Sequence, residues 1–120
     1  MAIAISIDPK KSRIRIHKET LEEIDHPHYI HILVNPGKLR LAIKASGRKT
    51  KDSLHVIYNS EKDCEFYSSE LVEQLLVLAN IANRNCTYRI NGFKVSHCDT
   101  AVFPIENISL VNSEETHNTN

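Results

Sequence analysis

Apolar residues alternate with small or polar ones at the start of the chain. Ile3, Ile5 and Ile7 are interleaved with Ala2, Ala4 and Ser6, and Ile14 and Ile16 with Arg13, Arg15 and His17. A period of two marks half-buried strands, and Asp8-Pro9 separates the two runs. In TLEEID, Thr20 stands three residues before Glu23. That spacing suits a capping box, in which hydroxyl and carboxylate satisfy free amides at a helix start. It predicts a short helix near residues 20–25, limited by Pro27, which biases His26 away from helical dihedrals. HYIHILV is a strand-like run, NPGK supplies a turn, and LRLAIKA sets Leu39, Leu41 and Ile43 on one face against Arg40, Ala42 and Lys44 on the other. Together they predict a β-hairpin.

ASGRKTKDS has loop composition and is expected to be mobile; LHVIY then starts a strand with Leu54, Val56 and Tyr58 on one face. Leu71, Leu75, Leu78, Ala79 and Ala82 follow helical spacing, with Ser68 or Ser69 able to cap the start and Glu70 in the first turn. The main helix is expected near residues 69–83. In CTYRINGFKVSH, Asn91-Gly92 is a type I′ turn signal, since both residues tolerate positive φ. A two-residue loop there would set Ile90 opposite Phe93, Tyr88 opposite Val95 and Cys86 opposite His97, with Arg89 and Lys94 pointing outward. A closing strand is expected around VFPI or ISLV, with Pro104 marking part of it as an edge. The last stretch, NSEETHNTN, is polar and reads as a frayed tail over 112–120.

The chain has 120 residues, 41% hydrophobic and 25% charged, which fits one ordinary globular domain and leaves no room for two enzyme lobes. Trp is absent and aromatics make up 6%, so the core must be largely aliphatic. The longest apolar run, within LVEQLLVLANIA, falls short of the roughly 20 residues that span a bilayer. The start lacks the features of a secretory signal. The expectation is a cytoplasmic protein without membrane contact. Cys64, Cys86 and Cys98 are odd in number and lack CxxC spacing, which suits reduced thiols and no zinc finger.

The distribution of charge is more informative than composition. Residues 1–51 hold eleven basic side chains against five acids, and residues 52–120 hold four against ten, so halves of +6 and −6 cancel. Lys38, Arg40, Lys44, Arg48, Lys49 and Lys51 follow one another without an intervening acid. Such a field attracts a polyanion by counterion release, and nucleic acid is the expected partner. The competing readings are a solvated face, or a basic half that docks on the acidic half of another subunit.

Other constellations carry less. His26, His28 and His31 would need to converge to bind metal, but His28 and His31 fall on opposite faces of a strand. His97 and Cys98 are adjacent and cannot form a thiolate–imidazole pair on a strand, although Cys86 could reach His97 across the expected hairpin. Phosphate loops, GxSxG, HExxH and paired-carboxylate motifs are absent. No catalytic residue, metal ligand or cofactor is assigned.

The stretch RIRIHKETLEEIDHPHYIHILVNPGKLRLAIKA, about residues 12–46, resembles the swapped-hairpin regulators of the AbrB, MazE and SpoVT type. In that family two chains interleave hairpins into one small barrel, and basic strand and loop residues meet DNA. The resemblance implies that Arg13, Arg15, His17 and Lys18 face phosphates, with Arg40 and Lys44 as further contacts. The chain departs from the pattern in lacking the usual glycine before the first strand and in having HPHY where Gly-Asp is usual.

The combined expectation is a single α+β domain over 1–111, with a basic half 1–51 and an acidic half 52–111. A mostly antiparallel sheet packs against one main helix near 69–83, and a short helix lies near 20–25. Exposed strand edges favour a homo-oligomer, a dimer first. The expected function is non-enzymatic nucleic-acid binding, as in a transcriptional regulator, through Arg13, Arg15, His17, Lys18, Lys38, Arg40, Lys44, Arg48, Lys49 and Lys51. The alternative is an assembly module that self-associates through oppositely charged halves.

Overall fold

A computed structural model describes residues 2–111; the expected tail at 112–120 lies outside the described residues. Strands β1 (Ile3–Asp8) and β2 (Arg13–Ile16) flank a 3-10 turn at Pro9–Lys11, where the proline ring sets the first φ of the turn. Helix α1 (Lys18–Glu23) follows, then β3 (Tyr29–Asn35), β4 (Arg40–Ser46), β5 (Leu54–His55) and β6 (Cys64–Tyr67). Helix α2 (Ser69–Leu78), β7 (Tyr88–Lys94), β8 (Thr100–Pro104), a 3-10 turn at Ile105–Asn107 and β9 (Ser109–Leu110) complete the described chain.

All the strand pairs are antiparallel and join in one sheet of order β5-β3-β4-β8-β7-β1-β2-β6, with β9 added on β7. The register puts isoleucines in rows across neighbouring strands. Ile5 lies opposite both Ile16 and Ile90, and Ile7 lies between Ile14 and Tyr88. Leu41 and Ile43 of β4 lie opposite Phe103 and Ala101 of β8. Curled into a half-barrel, the sheet encloses these rows, and every one of these side chains is buried. The apolar residues therefore meet each other inside the sheet's own curve, and burying each large aliphatic side chain contributes about 1.5–3 kcal/mol.

This corrects the expected fold class. The helices are short and the sheet is not backed by one main helix. α2 begins as expected, with the Ser68 hydroxyl accepting from the Leu71 amide at 3.1 Å, but it ends at Leu78 instead of near 83. Asn80 enters the left-handed region (φ 60°), and the Ile81 amide donates back to the Leu76 carbonyl at 2.9 Å, which closes the helix. Only Val72, Leu75 and Leu76 of α2 are fully buried. The helix meets the sheet at β2 and the Pro9–Lys11 turn.

Two local readings are also corrected. Thr20 does not cap α1, whose N-cap is His17, its side chain making no capping bond. The Thr20 hydroxyl is fully buried, accepting from the Ala4 amide and donating to the Ala4 carbonyl, both at 3.0 Å. β2 has by then turned into α1, so the hydroxyl takes over as the acceptor that the Ala4 amide would otherwise lack, while the Ala4 carbonyl also receives the His17 amide at 3.3 Å. Asn91-Gly92 is not a turn: β7 runs straight through both, with Asn91 opposite Ala4 and Gly92 opposite Ile3, and no glycine has positive φ. The real reversal follows Val95, whose amide bonds the Thr100 carbonyl at 2.8 Å, with His97 at φ 64°. Gly92 is required for space. A Cβ there would lie 2.3 Å from the Val102 carbonyl oxygen and 2.5 Å from the Phe103 ring.

The expected LHVIY strand is only two residues long, yet its chain has a structural role. Leu54 and His55 pair with Ile30 and Tyr29, the Val56 amide donates to the His28 carbonyl at 2.8 Å, and Tyr58 bridges to Cys64. Residues 54–58 therefore run from the β3 edge of the sheet to the β6 edge.

Candidate nucleic-acid interface

The expected basic residues fall into three separate groups. Arg13, Arg15, His17 and Lys18 belong to β2 and the start of α1; Lys38 and Arg40 lie at the β3–β4 turn; Lys44, Arg48, Lys49 and Lys51 lie at the far end of β4 and in the loop after it. Strands β2 and β4 are separated by β8, β7 and β1. The seven residues of β4 set Arg40 roughly 20 Å from Ser46, where the loop that carries Arg48 begins.

Acids reach the first two groups, Asp8 from the same half of the chain and the others from the later half. Arg13 meets Asp8 at 3.0 Å and Glu65 at 3.9 Å, and Arg15 lies 4.0 Å from Asp63. Arg40 meets both Glu106 carboxylate oxygens, at 3.0 and 3.1 Å. Glu106 is held below the usual carboxylate range by its own backbone amide and then by Arg40. The +6 and −6 halves thus neutralise each other partly within one chain, which weakens the case for charge-driven self-association.

The third group is different. Lys44, Arg48, Lys49 and Lys51 are exposed, and among the described residues none lies within ion-pair distance of a carboxylate. The loop that carries them is tied by hydrogen bonds. The Ser46 hydroxyl donates to the Arg48 carbonyl at 2.6 Å, and the Thr50 amide donates to the Ser53 hydroxyl at 2.8 Å. Ser46 and Gly47, at the root of this loop, line a groove of about 610 Å³ together with His26, His28, Tyr29 and His55. The Tyr29 and His55 rings, placed side by side by β3–β5 pairing, stack with centroids 5.0 Å apart and planes at 26°. Asp25 and Asp99 also line the groove, Asp99 next to its loop side, where the Ala45 amide donates to the Asp99 carbonyl at 2.8 Å. Sequence reading missed this arrangement because Tyr29 and His55 are 26 positions apart in the chain. The HPHY segment was the available signal.

The β2 group belongs to a second arrangement. Ser6 lies opposite Arg15 on one side and Arg89 on the other, and its hydroxyl is 2.6 Å from His17 Nε2. Burial first, then Arg15 and Arg89, push the His17 imidazole below its ordinary pKa, while Asp63 and Glu19 act weakly against this. Arg89 belongs to the acidic half, and the sequence marks it only as an outward residue.

The remaining candidates do not gather. Among the described residues no three of His, Cys, Asp and Glu approach closely enough to hold a metal ion. Cys86 does not face His97; it precedes β7 and accepts from Asn83 Nδ2 at 3.3 Å, while His97 is exposed in the β7–β8 turn. Cys64 is buried, and that burial raises its thiol pKa, the opposite of nucleophile activation. No described helix is long and apolar enough to cross a membrane. No protein-family model, curated protein or solved structure matches the chain.

Proposed function

We propose that the protein binds nucleic acid in single-stranded form, with phosphates on Lys44, Arg48, Lys49 and Lys51 and unstacked bases on the Tyr29–His55 pair. The observation that carries this reading is one juxtaposition: Ala45, Ser46 and Gly47, which lie between Lys44 and Arg48 in the chain, line a groove walled by two stacked rings, and among the described residues the cations of this segment have no ion-pair partner. Cations supply sequence-independent attraction to the backbone. Aromatic faces add about 1–3 kcal/mol per stacked base, and a duplex hides those base faces. Arg13 and Arg40, engaged by acids, are assigned no contact. The element order strand, short helix, strand, turn, strand over β2 to β4 is the one on which the likeness to swapped-hairpin regulators rests, so a role in transcription stays part of the proposal.

Fluorescence anisotropy with a labelled pyrimidine 20-mer and a duplex of the same length tests the reading. Four phosphate contacts to a single strand predict a slope of about −3 for log affinity against log salt. Replacing Arg48, Lys49 and Lys51 by Gln together should reduce it to about −1, and Tyr29→Ala should weaken single-strand binding roughly tenfold or more. No binding at low salt, or a slope that the triple variant leaves unchanged, would end the proposal.

A further inference from the structure

The outer face of β1 is lined with small residues between taller neighbours. Ala2, Ala4 and Ser6 alternate with the buried isoleucines, so they share the face opposite the core. On one side the chain places Arg15 opposite Ser6 and His17 beside Ala4, where the His17 amide donates to the Ala4 carbonyl at 3.3 Å. On the other side, β7 places Arg89 opposite Ser6 and Asn91 opposite Ala4. The result is a trough of about 560 Å³ with an alanine floor, walled by His17, Glu19, Arg89 and Asn91.

Its donors are poised. Ser6 is buried, and its hydroxyl has one hydrogen-bond partner among the described residues, His17 Nε2. A buried hydroxyl left without an acceptor is costly, so the proton is assigned to the Ser6 oxygen and Nε2 accepts it. The imidazole is then neutral and offers Nδ1–H as a donor. Arg89 is exposed, with no carboxylate in ion-pair range among the described residues. Arg15 Nε is almost inaccessible and has no hydrogen-bond partner there, its nearest acid being Asp63 at 4.0 Å.

We propose that this trough is a binding site for a small phosphomonoester, with its oxygens over Ala4, between His17 on one wall and Arg89 and Asn91 on the other. The walls stand on the strands either side of β1, about 9.5 Å apart. A tetrahedral group directs oxygens to both walls, whereas a flat carboxylate meets one. Arginine and amide donors hold such oxygens through charge-assisted bonds, and Arg15 adds to the field. Glu19, from α1, repels the phosphate but accepts from a hydroxyl on the rest of the ligand, which favours a phosphorylated sugar over the bare ion. The groups facing His17 are Ser6 of β1, Arg15 of β2, Arg89 of β7, Glu19 of α1 and Asp63 from the chain before β6. A dianion among them offsets the two arginines, so binding raises the His17 pKa.

The site shares no lining residue with the groove beside the Lys44–Lys51 loop and stands or falls without it. The test follows the His17 imidazole signals by NMR in the full chain titrated with ribose 5-phosphate, inorganic phosphate and acetate. Ribose 5-phosphate should shift them with a Kd of about 1 mM or tighter, inorganic phosphate more weakly, and the His17 pKa should rise on saturation. Arg89→Gln, at an exposed position, should weaken binding tenfold or more, while the Arg48, Lys49, Lys51 triple variant should leave it unchanged. Should Arg89→Gln fail to fold, Asn91→Leu takes its place, with the same expected loss. Unmoved His17 signals, equal shifts with acetate, or full binding by the wall variants would overturn the proposal.

Discussion

Gly92→Ala tests the most specific claim about how this sheet is built. The added methyl would sit 2.3 Å from the Val102 carbonyl oxygen and 2.5 and 2.9 Å from two Phe103 ring carbons. Phe103 is fully buried, and Val102 is held in the ladder opposite Ala42 and Phe93, so neither can swing aside. Overpacking a closed core costs about 1–3 kcal/mol, and a backbone contact this short belongs at the upper end. At about 4 °C per kcal/mol for a domain of this size, the melting temperature should fall by roughly 12 °C. The assay is thermal unfolding followed by circular dichroism, with Asn91→Ala as control. Asn91 is exposed in the middle of β7 and should be nearly neutral. In the turn reading both positions would need positive φ, so both substitutions would cost stability. A Gly92→Ala protein melting within about 3 °C of the parent, or an Asn91→Ala protein equally damaged, would refute the close approach of Val102 and Phe103 of β8 to Gly92.

Other expectations follow from single contacts. Thr20→Val keeps the shape but leaves the buried Ala4 amide without its acceptor and the Ala4 carbonyl with only the His17 amide, and should cost about 1–3 kcal/mol in urea unfolding, with Thr20→Ser much milder. Ser68→Ala removes the α2 cap and should cost about 1 kcal/mol by the same assay. Because the folded His17 pKa lies below its unfolded value of 6.5, the folded state holds fewer protons there. Its stabilising contribution is complete above that value and is lost as pH falls toward the folded pKa. Urea midpoints compared between pH 7.5 and 5 should therefore drop more for the parent than for His17→Gln; equal drops would contradict the assignment.

What could be read in the chain was local. The alternation of Ile3 to Ile7 and of Ile14 to Ile16, the Asp8-Pro9 break, the hairpin around NPGK and the Ser68 cap all depend on neighbours in sequence, and each element formed. The failures were positions where a distant strand overrode a local signal. Thr20 had capping spacing, yet the unpaired backbone of Ala4, 16 residues away, claimed its hydroxyl. Asn91-Gly92 had turn chemistry, but β1 paired with both residues and Phe103 needed the space above the glycine. The fold class failed for the same reason, since periodicity identifies a helix but not whether the sheet can curl and cover itself. For the sites, the cations were visible and their partners were not. Nothing in the local sequence linked Arg40 to Glu106, Tyr29 to His55, or Arg89 to Ser6.

The stretch from Leu54 to Tyr58 bears on how the molecule stays by itself. By touching β3 at one end and β6 at the other, it occupies hydrogen-bonding groups that would otherwise be open to strands from other copies. Two margins depend on a single short tether, so a proteolytic nick within it would uncover both at once. The product would carry two open strand edges on the same particle, each with unpaired N–H and C=O groups, the geometry from which open-ended fibres grow.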